Sequence, residues 1–219
     1  LRHALQRAQR DDRQVALFFL DLDRFKEIND ALGHGVGDAL LRSAAQRLRR
    51  SVRESDTLAR MGGDEFTLMI EDVATTASPS TVARKLIDAL SAPFRLAERE
   101  LFVSASVGIA LFPQDADDLE TLIKCADIAM YAAKEQGRGT FHFFTLELQR
   151  MASDRLALEH QLRAAIDRGE LALQFQPQVR ASDGGIVAIE ALLRWGEGAA
   201  SIAPARFVPT FLSPLRMFR

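Results

Sequence analysis

Arg60-Met-Gly-Gly-Asp-Glu-Phe66 lies downstream of an apolar run, Val15-Ala-Leu-Phe-Phe-Leu20, that ends in Asp21-Leu22-Asp23. Gly62 and Gly63 permit a tight hairpin with close backbone approach, and folding alone does not explain the acids Asp64 and Glu65 at its tip. Asp21 closes a run of the kind that becomes buried, where an unpaired carboxylate is costly without a counter-charge or a metal. A sheet can bring a strand end and a neighbouring hairpin tip within reach of one ion. Carboxylates so placed are what a divalent metal on a nucleoside triphosphate requires. Taken singly, each acid has a plainer reading: Asp23 as a helix N-cap, and the glycine-acid tetrad as a solvated turn.

Outward from this pair of segments, the pattern alternates strands and helices. Val15–Leu20 is a continuous apolar run suited to a central strand covered on both faces. Asp23 stands where an N-cap belongs, ahead of a short helix through Phe25, Ile28 and Asn29 that Gly33-His34-Gly35 breaks, with His34 structural in the turn. A second helix is expected from about Val36 to Val52, with Leu40, Leu41, Ala44, Ala45, Leu48 and Val52 as its buried stripe. Thr57–Arg60 and Phe66–Ile70 form the arms of the glycine hairpin. A loop over Thr75–Ser80, a helix through Val82, Leu86, Ile87 and Leu90, and a strand from Leu101 to Phe112 follow; Gly108 and Pro113 are expected to interrupt that strand. A helix over Leu119–Glu135 and a short strand at Phe141–Phe144 complete an α/β sandwich with one mixed sheet flanked by helices.

After Phe144 the pattern restarts. A charged helix is expected over Glu147–Arg168, ended by Gly169, then a strand at Leu171–Gln176, a turn at Ser182–Gly185 and a strand at Ile186–Trp195. The domain boundary is placed near residues 145–152, giving one domain at 1–145, a linker helix at 146–161 and the beginning of another domain at 162–219.

Composition narrows the class. The chain has 219 residues, 47% apolar and 26% charged, with a formal net charge of −2. These values suit a soluble globular protein and suggest no nucleic-acid polymer as partner, so any polyanion must be held by a local site. Cys125, the single cysteine, falls on an apolar helical face and reads as a core thiol in a reducing, cytoplasmic setting. The longest apolar run is too short to span a bilayer. The first residue is Leu, so upstream sequence is expected, and a membrane anchor of the parent protein would lie there.

Five ordered motifs carry a family resemblance. Asp21-Leu-Asp-Arg-Phe-Lys-Glu-Ile-Asn-Asp30, Gly33-His34, Gly37-Asp38, Gly62-Gly-Asp-Glu-Phe66 and Lys134-Glu-Gln-Gly-Arg138 resemble the GGDEF domain of diguanylate cyclases, whose fold is palm-like, over about residues 1–145. The opening motif of that family is missing ahead of Leu1, and Gly139 stands where the family has Asn. The resemblance implies Mg²⁺, with Mn²⁺ as an alternative, held by Asp21, Asp64 and the Leu22 carbonyl, with Glu65 as a further catalytic acid. It implies that Lys26, Lys134 and Arg138 neutralise the GTP triphosphate and that Asn29 and Asp38 read the guanine edge. The implied reaction joins two GTP into cyclic di-GMP with release of two pyrophosphates, each domain of a homodimer holding one GTP. Arg53 and Asp56 match the family's inhibitory product site, which implies feedback by cyclic di-GMP. The rival reading is a catalytically silent module, binding GTP or cyclic di-GMP, that tunes an attached phosphodiesterase. A general nucleotide-polymerising palm fits the Asn29 and Asp38 pair less well.

Leu162–Pro209 is similar to the start of an EAL phosphodiesterase domain through Gln174-Phe-Gln-Pro177, Glu190-Ala-Leu192, Leu193-Arg-Trp195 and Phe207-Val-Pro209. That similarity implies Glu190 as a metal ligand and Arg194 facing a phosphate. It is lost over Thr210–Arg219, which reads as a truncation with an aggregation-prone tail. Two strands cannot close a β/α barrel, so no phosphodiesterase activity is expected of this chain.

Overall fold

The computed structural model describes residues 1–11, 13–71, 73, 78–96, 99–196 and 201–208. The chain divides into two compact units, Leu1–Gln149 and Arg150–Arg219. No helix among the described residues is long and apolar enough to cross a membrane.

In the first unit the elements run α1 (Arg2–Arg10), β1 (Val15–Leu22), α2 (Phe25–Leu32), α3 (His34–Ser51), β2 (Thr57–Gly62), β3 (Glu65–Glu71), α4 (Pro79–Ser91), β4 (Phe94–Leu96), β5 (Arg99–Leu101), β6 (Ala105–Phe112), α5 (Leu119–Glu135) and β7 (Phe141–Phe143). Five strands make one sheet in the order β2-β3-β1-β6-β7. The β1 strand is antiparallel to both neighbours and β7 is parallel to β6, so the sheet is mixed. Every residue of β1 is buried, as its unbroken apolar run requires. Alternation along that strand sorts the core. Ala16, Phe18, Leu20 and Leu22 pack with Leu40, Leu41, Ala44 and Leu48 of α3 and Leu86, Ile87 and Leu90 of α4. Val15, Leu17 and Phe19 face Ala4, Leu5 and Ala8 of α1 and Leu122, Ala126 and Met130 of α5, with Cys125 buried among them. The odd-numbered face leads directly to Asp21.

Several local expectations are corrected. Asp23 does not cap α2: the N-cap position belongs to Arg24, in the left-handed region at φ 60°, and no side chain caps the helix. Only Gly33 separates α2 from α3, because its φ of 85° turns the chain while His34 already lies within α3. The expected strand over 101–112 is divided. Phe94–Leu96 and Arg99–Leu101 form a separate two-stranded hairpin, and β6 starts at Ala105. Gly108 does not interrupt β6 but lets α5 approach it, since a Cβ there would stand 1.8 Å from the Ala126 carbonyl oxygen. The loop expected over 75–80 falls at 75–77 outside the described residues, and Pro79 opens α4. Phe144 lies past β7, and its N–H donates to the Ile109 carbonyl at 2.7 Å.

The second unit contains most of α6 (Leu146–Asp167) and the antiparallel pair β8 (Leu171–Val179) and β9 (Ile186–Trp195). Its core is Leu158, Leu162, Ala165, Trp195 and Phe207. The Trp195 ring meets Phe207 edge-on at 5.5 Å. Leu173, Phe175, Val179, Ile186, Val187 and Ile189 are exposed on the hairpin. Pro209 and the segment 210–219 lie outside the described residues.

Candidate functional site

The site is assembled at one end of the sheet by strand register. Asp21, near the end of β1, stands opposite Glu65 on β3 and Ser106 on β6. The Leu22 N–H donates to the Asp64 carbonyl at 3.3 Å, tying the hairpin tip to the end of β1. Gly63 turns that tip at φ 49°, and the Arg60 guanidinium clamps it by donating from Nε and Nη2 to the Gly63 carbonyl at 2.9 and 2.7 Å. Arg60 is a supporting residue that the motif reading missed; its place one residue before Met61 carried no signal of its own.

Asp21 is 7% exposed. Lys134 Nζ, from the last turn of α5, reaches its Oδ2 at 2.7 Å. Burial pushes the Asp21 carboxyl up to about 6, the Lys134 ammonium pulls against that rise, and the charges of Asp64 and Asp23 add to it. Lys134, expected to face phosphate, is thus engaged with a carboxylate in this structure. Among the described residues, no group of three or more His, Cys, Asp or Glu side chains is gathered to hold a metal. The expected donors are two carboxylates and one carbonyl, an all-oxygen set that suits Mg²⁺, which keeps most positions for water and phosphate. A buried carboxylate crowded by like charges is also where a cation gains most, so the residues fit the ion.

Around this centre the other expected residues are placed as follows. Lys26 is exposed on α2, whose uncapped first turn offers free amides to an anion. Arg138 and Asp23 line a cleft of about 600 Å³ together with Arg24, Glu27, Ile28 and Phe102. Asp38 is exposed on α3, just past its first turn. Asn29 Oδ1 is buried without a hydrogen-bond partner and faces Gly37, where a Cβ would come within 1.8 Å of it. Gly37 therefore makes room for the Asn29 carboxamide, a pairing across α2 and α3 that spacing alone did not reveal. Gly37→Ala is expected to displace Asn29 and to weaken the guanine nucleotide binding proposed below about tenfold, with little change in melting temperature, since a side chain moves more readily than backbone. Equilibrium binding of GTP checks this; undiminished affinity contradicts the pairing.

Arg53 and Asp56 form a closed turn. Asp56 is 8% exposed and its Oδ2 accepts from the Arg53 N–H at 2.8 Å, while the Arg53 side chain is exposed. In the second unit Glu190 is exposed opposite Gln176, and Arg194 Nε donates to Gln174 Oε1 at 2.9 Å.

The family model described as diguanylate cyclase, GGDEF domain, matches residues 1–140. The chain belongs to the GGDEF diguanylate cyclase family. A model for the EAL domain matches residues 159–215, so GGDEF and EAL sequence lie in tandem. Among curated proteins, the GGDEF chain is 46% identical over 210 residues to the bifunctional diguanylate cyclase/cyclic di-GMP phosphodiesterase MucR of Pseudomonas aeruginosa, covering 95% of this chain and 30% of MucR. It is 38% identical over 202 residues to the cyclic di-GMP phosphodiesterase PdeR of Escherichia coli, covering 92% of this chain and 30% of PdeR. The chain thus spans less than a third of the length of these curated relatives. Among solved structures, the GGDEF domain of TpbB (YfiN) from Pseudomonas aeruginosa superposes with a TM-score of 0.66 at 42% identity, covering 69% of this chain and 89% of that one. The GGDEF domain of DgcB from Caulobacter crescentus, solved in complex with c-di-GMP, has a TM-score of 0.60 at 26% identity, covering 65% of this chain and 85% of that one.

Proposed function

We propose that the first unit is a diguanylate cyclase, joining two GTP into cyclic di-GMP with loss of two pyrophosphates, as a homodimer in which each copy presents one nucleotide. The observation that carries this reading is the convergence of Asp21, the Asp64-Glu65 tip and Lys134 at one end of the sheet. Asp21, Asp64 and the Leu22 carbonyl are the proposed Mg²⁺ ligands, and the bound ion would supply charge neutralisation at the phosphoryl oxygens. Lys26 and Arg138 bind triphosphate oxygens, and Lys134, released from Asp21 when a cation neutralises that carboxylate, joins them. Asn29 both accepts from and donates to the guanine edge, and the Asp38 carboxylate accepts from it. Glu65, opposite Asp21 in the register, is proposed as the carboxylate base for the proton of the attacking 3′-hydroxyl. Most of the rate comes from holding that hydroxyl in line with the α-phosphorus of the other nucleotide.

Incubation of the dimeric chain with GTP and Mg²⁺, followed by mass spectrometry, tests the proposal. Cyclic di-GMP is the expected product, and it disappears when Mg²⁺ is chelated. GTP binding without product would favour the second reading, a silent regulatory module of a tandem phosphodiesterase. That reading draws on the 38% identity to PdeR and on the Lys134 contact that occupies Asp21. The EAL sequence of this chain is proposed to lack phosphodiesterase activity, because Glu190 and Arg194 stand on a two-stranded sheet.

Arg53 and Asp56 are proposed to bind the product, with the exposed Arg53 guanidinium gripping a phosphate or guanine while Asp56 holds the turn. Arg53→Ala is expected to raise the cyclic di-GMP concentration needed for half-inhibition by roughly tenfold or more, the usual loss for a charge-assisted contact, without lowering the uninhibited rate. An inhibition curve that does not move would remove Arg53 from the product site.

A further inference from the structure

Asp23 lies just past β1 and its side chain is only 3% exposed. Its Oδ2 accepts from Ser104 Oγ at 2.6 Å and from the Gly139 N–H at 3.1 Å, and its Oδ1 accepts from Ser106 Oγ at 2.7 Å. Arg138 Nε stands 4.0 Å from the same Oδ1. The Asp23 N–H donates in turn to the Ser104 carbonyl at 2.9 Å. One carboxylate therefore joins three segments: the end of β1, the start of β6 and the turn that follows α5.

That turn is held both by α5 and by the sheet. Gly137, Arg138 and Gly139 have φ values of 115°, 65° and 60° in succession. The left-handed region is unfavourable for arginine, because its Cβ crowds the carbonyl oxygen. The Arg138 N–H donates to the Ala133 carbonyl at 3.1 Å, which ties the turn to the end of α5, and the Gly139 N–H bound to Asp23 ties it to the sheet. The serine side of the network belongs to the sheet, so the sheet is the fixed partner and the turn is the positioned one. The φ at 139 also accounts for glycine where the family has asparagine, since these two residues enter the left-handed region most readily. Asp23, with three donors already on its two oxygens, differs from Asp21, which meets the Lys134 ammonium at 2.7 Å.

We propose that Asp23 is a positioning residue: it locks the 137–139 turn against the sheet so that the Arg138 guanidinium is aimed at the nucleotide's outer phosphates. This inference rests on the GTP reading given above. It assigns Asp23 to triphosphate affinity and leaves metal binding to Asp21 and Asp64.

The test compares 3′-deoxy-GTP, which cannot form the new phosphodiester, with GMP, each titrated by calorimetry into the whole chain with Mg²⁺. Asp23→Asn is expected to weaken 3′-deoxy-GTP binding by about tenfold to a hundredfold, the usual range for outer-shell partners, and to leave GMP affinity and the Mg²⁺ midpoint unchanged. Arg138→Ala is expected to do the same, and the double variant to be no weaker than Arg138→Ala alone. Additive losses, an equal loss for GMP, or a raised Mg²⁺ requirement would each overturn the assignment. Circular dichroism verifies that Asp23→Asn folds. If it does not, Ser106→Ala must give a smaller loss with the same preference for the triphosphate, and its absence is equally fatal. Tight 3′-deoxy-GTP binding by a chain that makes no cyclic di-GMP from GTP would end the cyclase reading and leave this inference standing. No binding of 3′-deoxy-GTP by the unaltered chain would end both.

Discussion

Asp21→Asn is expected to abolish the proposed cyclic di-GMP synthesis, by roughly a thousandfold or more, while making the metal-free chain harder to unfold at neutral pH. Both effects arise from one carboxylate. Burial pushes Asp21 from its ordinary value of 3.8 up to about 6, against the pull of Lys134. Between those two values the folded chain holds a proton that the unfolded chain has released, so the contribution of this group to stability is fully present below about pH 4. It is lost as pH rises through about 6. At about 1.4 kcal/mol per tenfold in the proton equilibrium, the ionised carboxylate costs the fold about 2–3 kcal/mol at pH 7. Asparagine removes that cost but leaves Lys134 without its partner, so the net gain is about 1–2 kcal/mol, or a melting rise of about 3–6 °C. Melting curves from pH 4 to 8 without divalent ions, paired with product assays, measure both halves. An unaltered chain whose melting point does not fall across this range, or a variant that retains activity, would contradict the account. Destabilisation kept in place at a functional carboxylate is the expected form of a trade between stability and activity.

Gly108→Ala is expected to be the most damaging single methyl in the first unit. The added Cβ would stand 1.8 Å from the Ala126 carbonyl oxygen, 2.2 Å from the Met130 nitrogen and 2.9 Å from the Ala129 carbonyl carbon. These are backbone atoms of α5, so no rotamer change relieves the overlap; the helix must move off the sheet. Overpacking of this kind costs about 3 kcal/mol or more, far above the few tenths that alanine returns by restricting the unfolded chain. The melting temperature should drop by about 10 °C. Because α5 carries Lys134 toward Asp21, the proposed cyclase activity should fall with it. A variant melting within about 2 °C of the parent would mean that the helix does not seat against β6 as closely as this.

The continuous apolar run Val15–Leu20 and the helical stripe of Leu40, Leu41, Ala44 and Leu48 made the sandwich and its mixed sheet readable in the sequence. An unbroken apolar run and a period of 3.6 are local signals, and burial then follows from them. The site motifs were legible because their residues have no folding role that explains them. The supporting contacts were not legible. Asp23 looks like a helix cap by sequence and is instead held by Ser104, Ser106 and Gly139. Gly108 looks like a strand breaker and is instead the seat of a helix. The contact of Lys134 with Asp21, which stands beside its proposed role toward phosphate, was likewise not readable in the sequence.

By itself, the amino-acid order determined the class of fold, the position of the acidic pair on a strand end and a hairpin, and the family to which those motifs belong. Tertiary structure alone decided which atoms meet. Contacts such as Gly139 with Asp23 and Gly108 with α5 join residues far apart in the chain, and their distances depend on sheet register and helix placement, which no local pattern encodes.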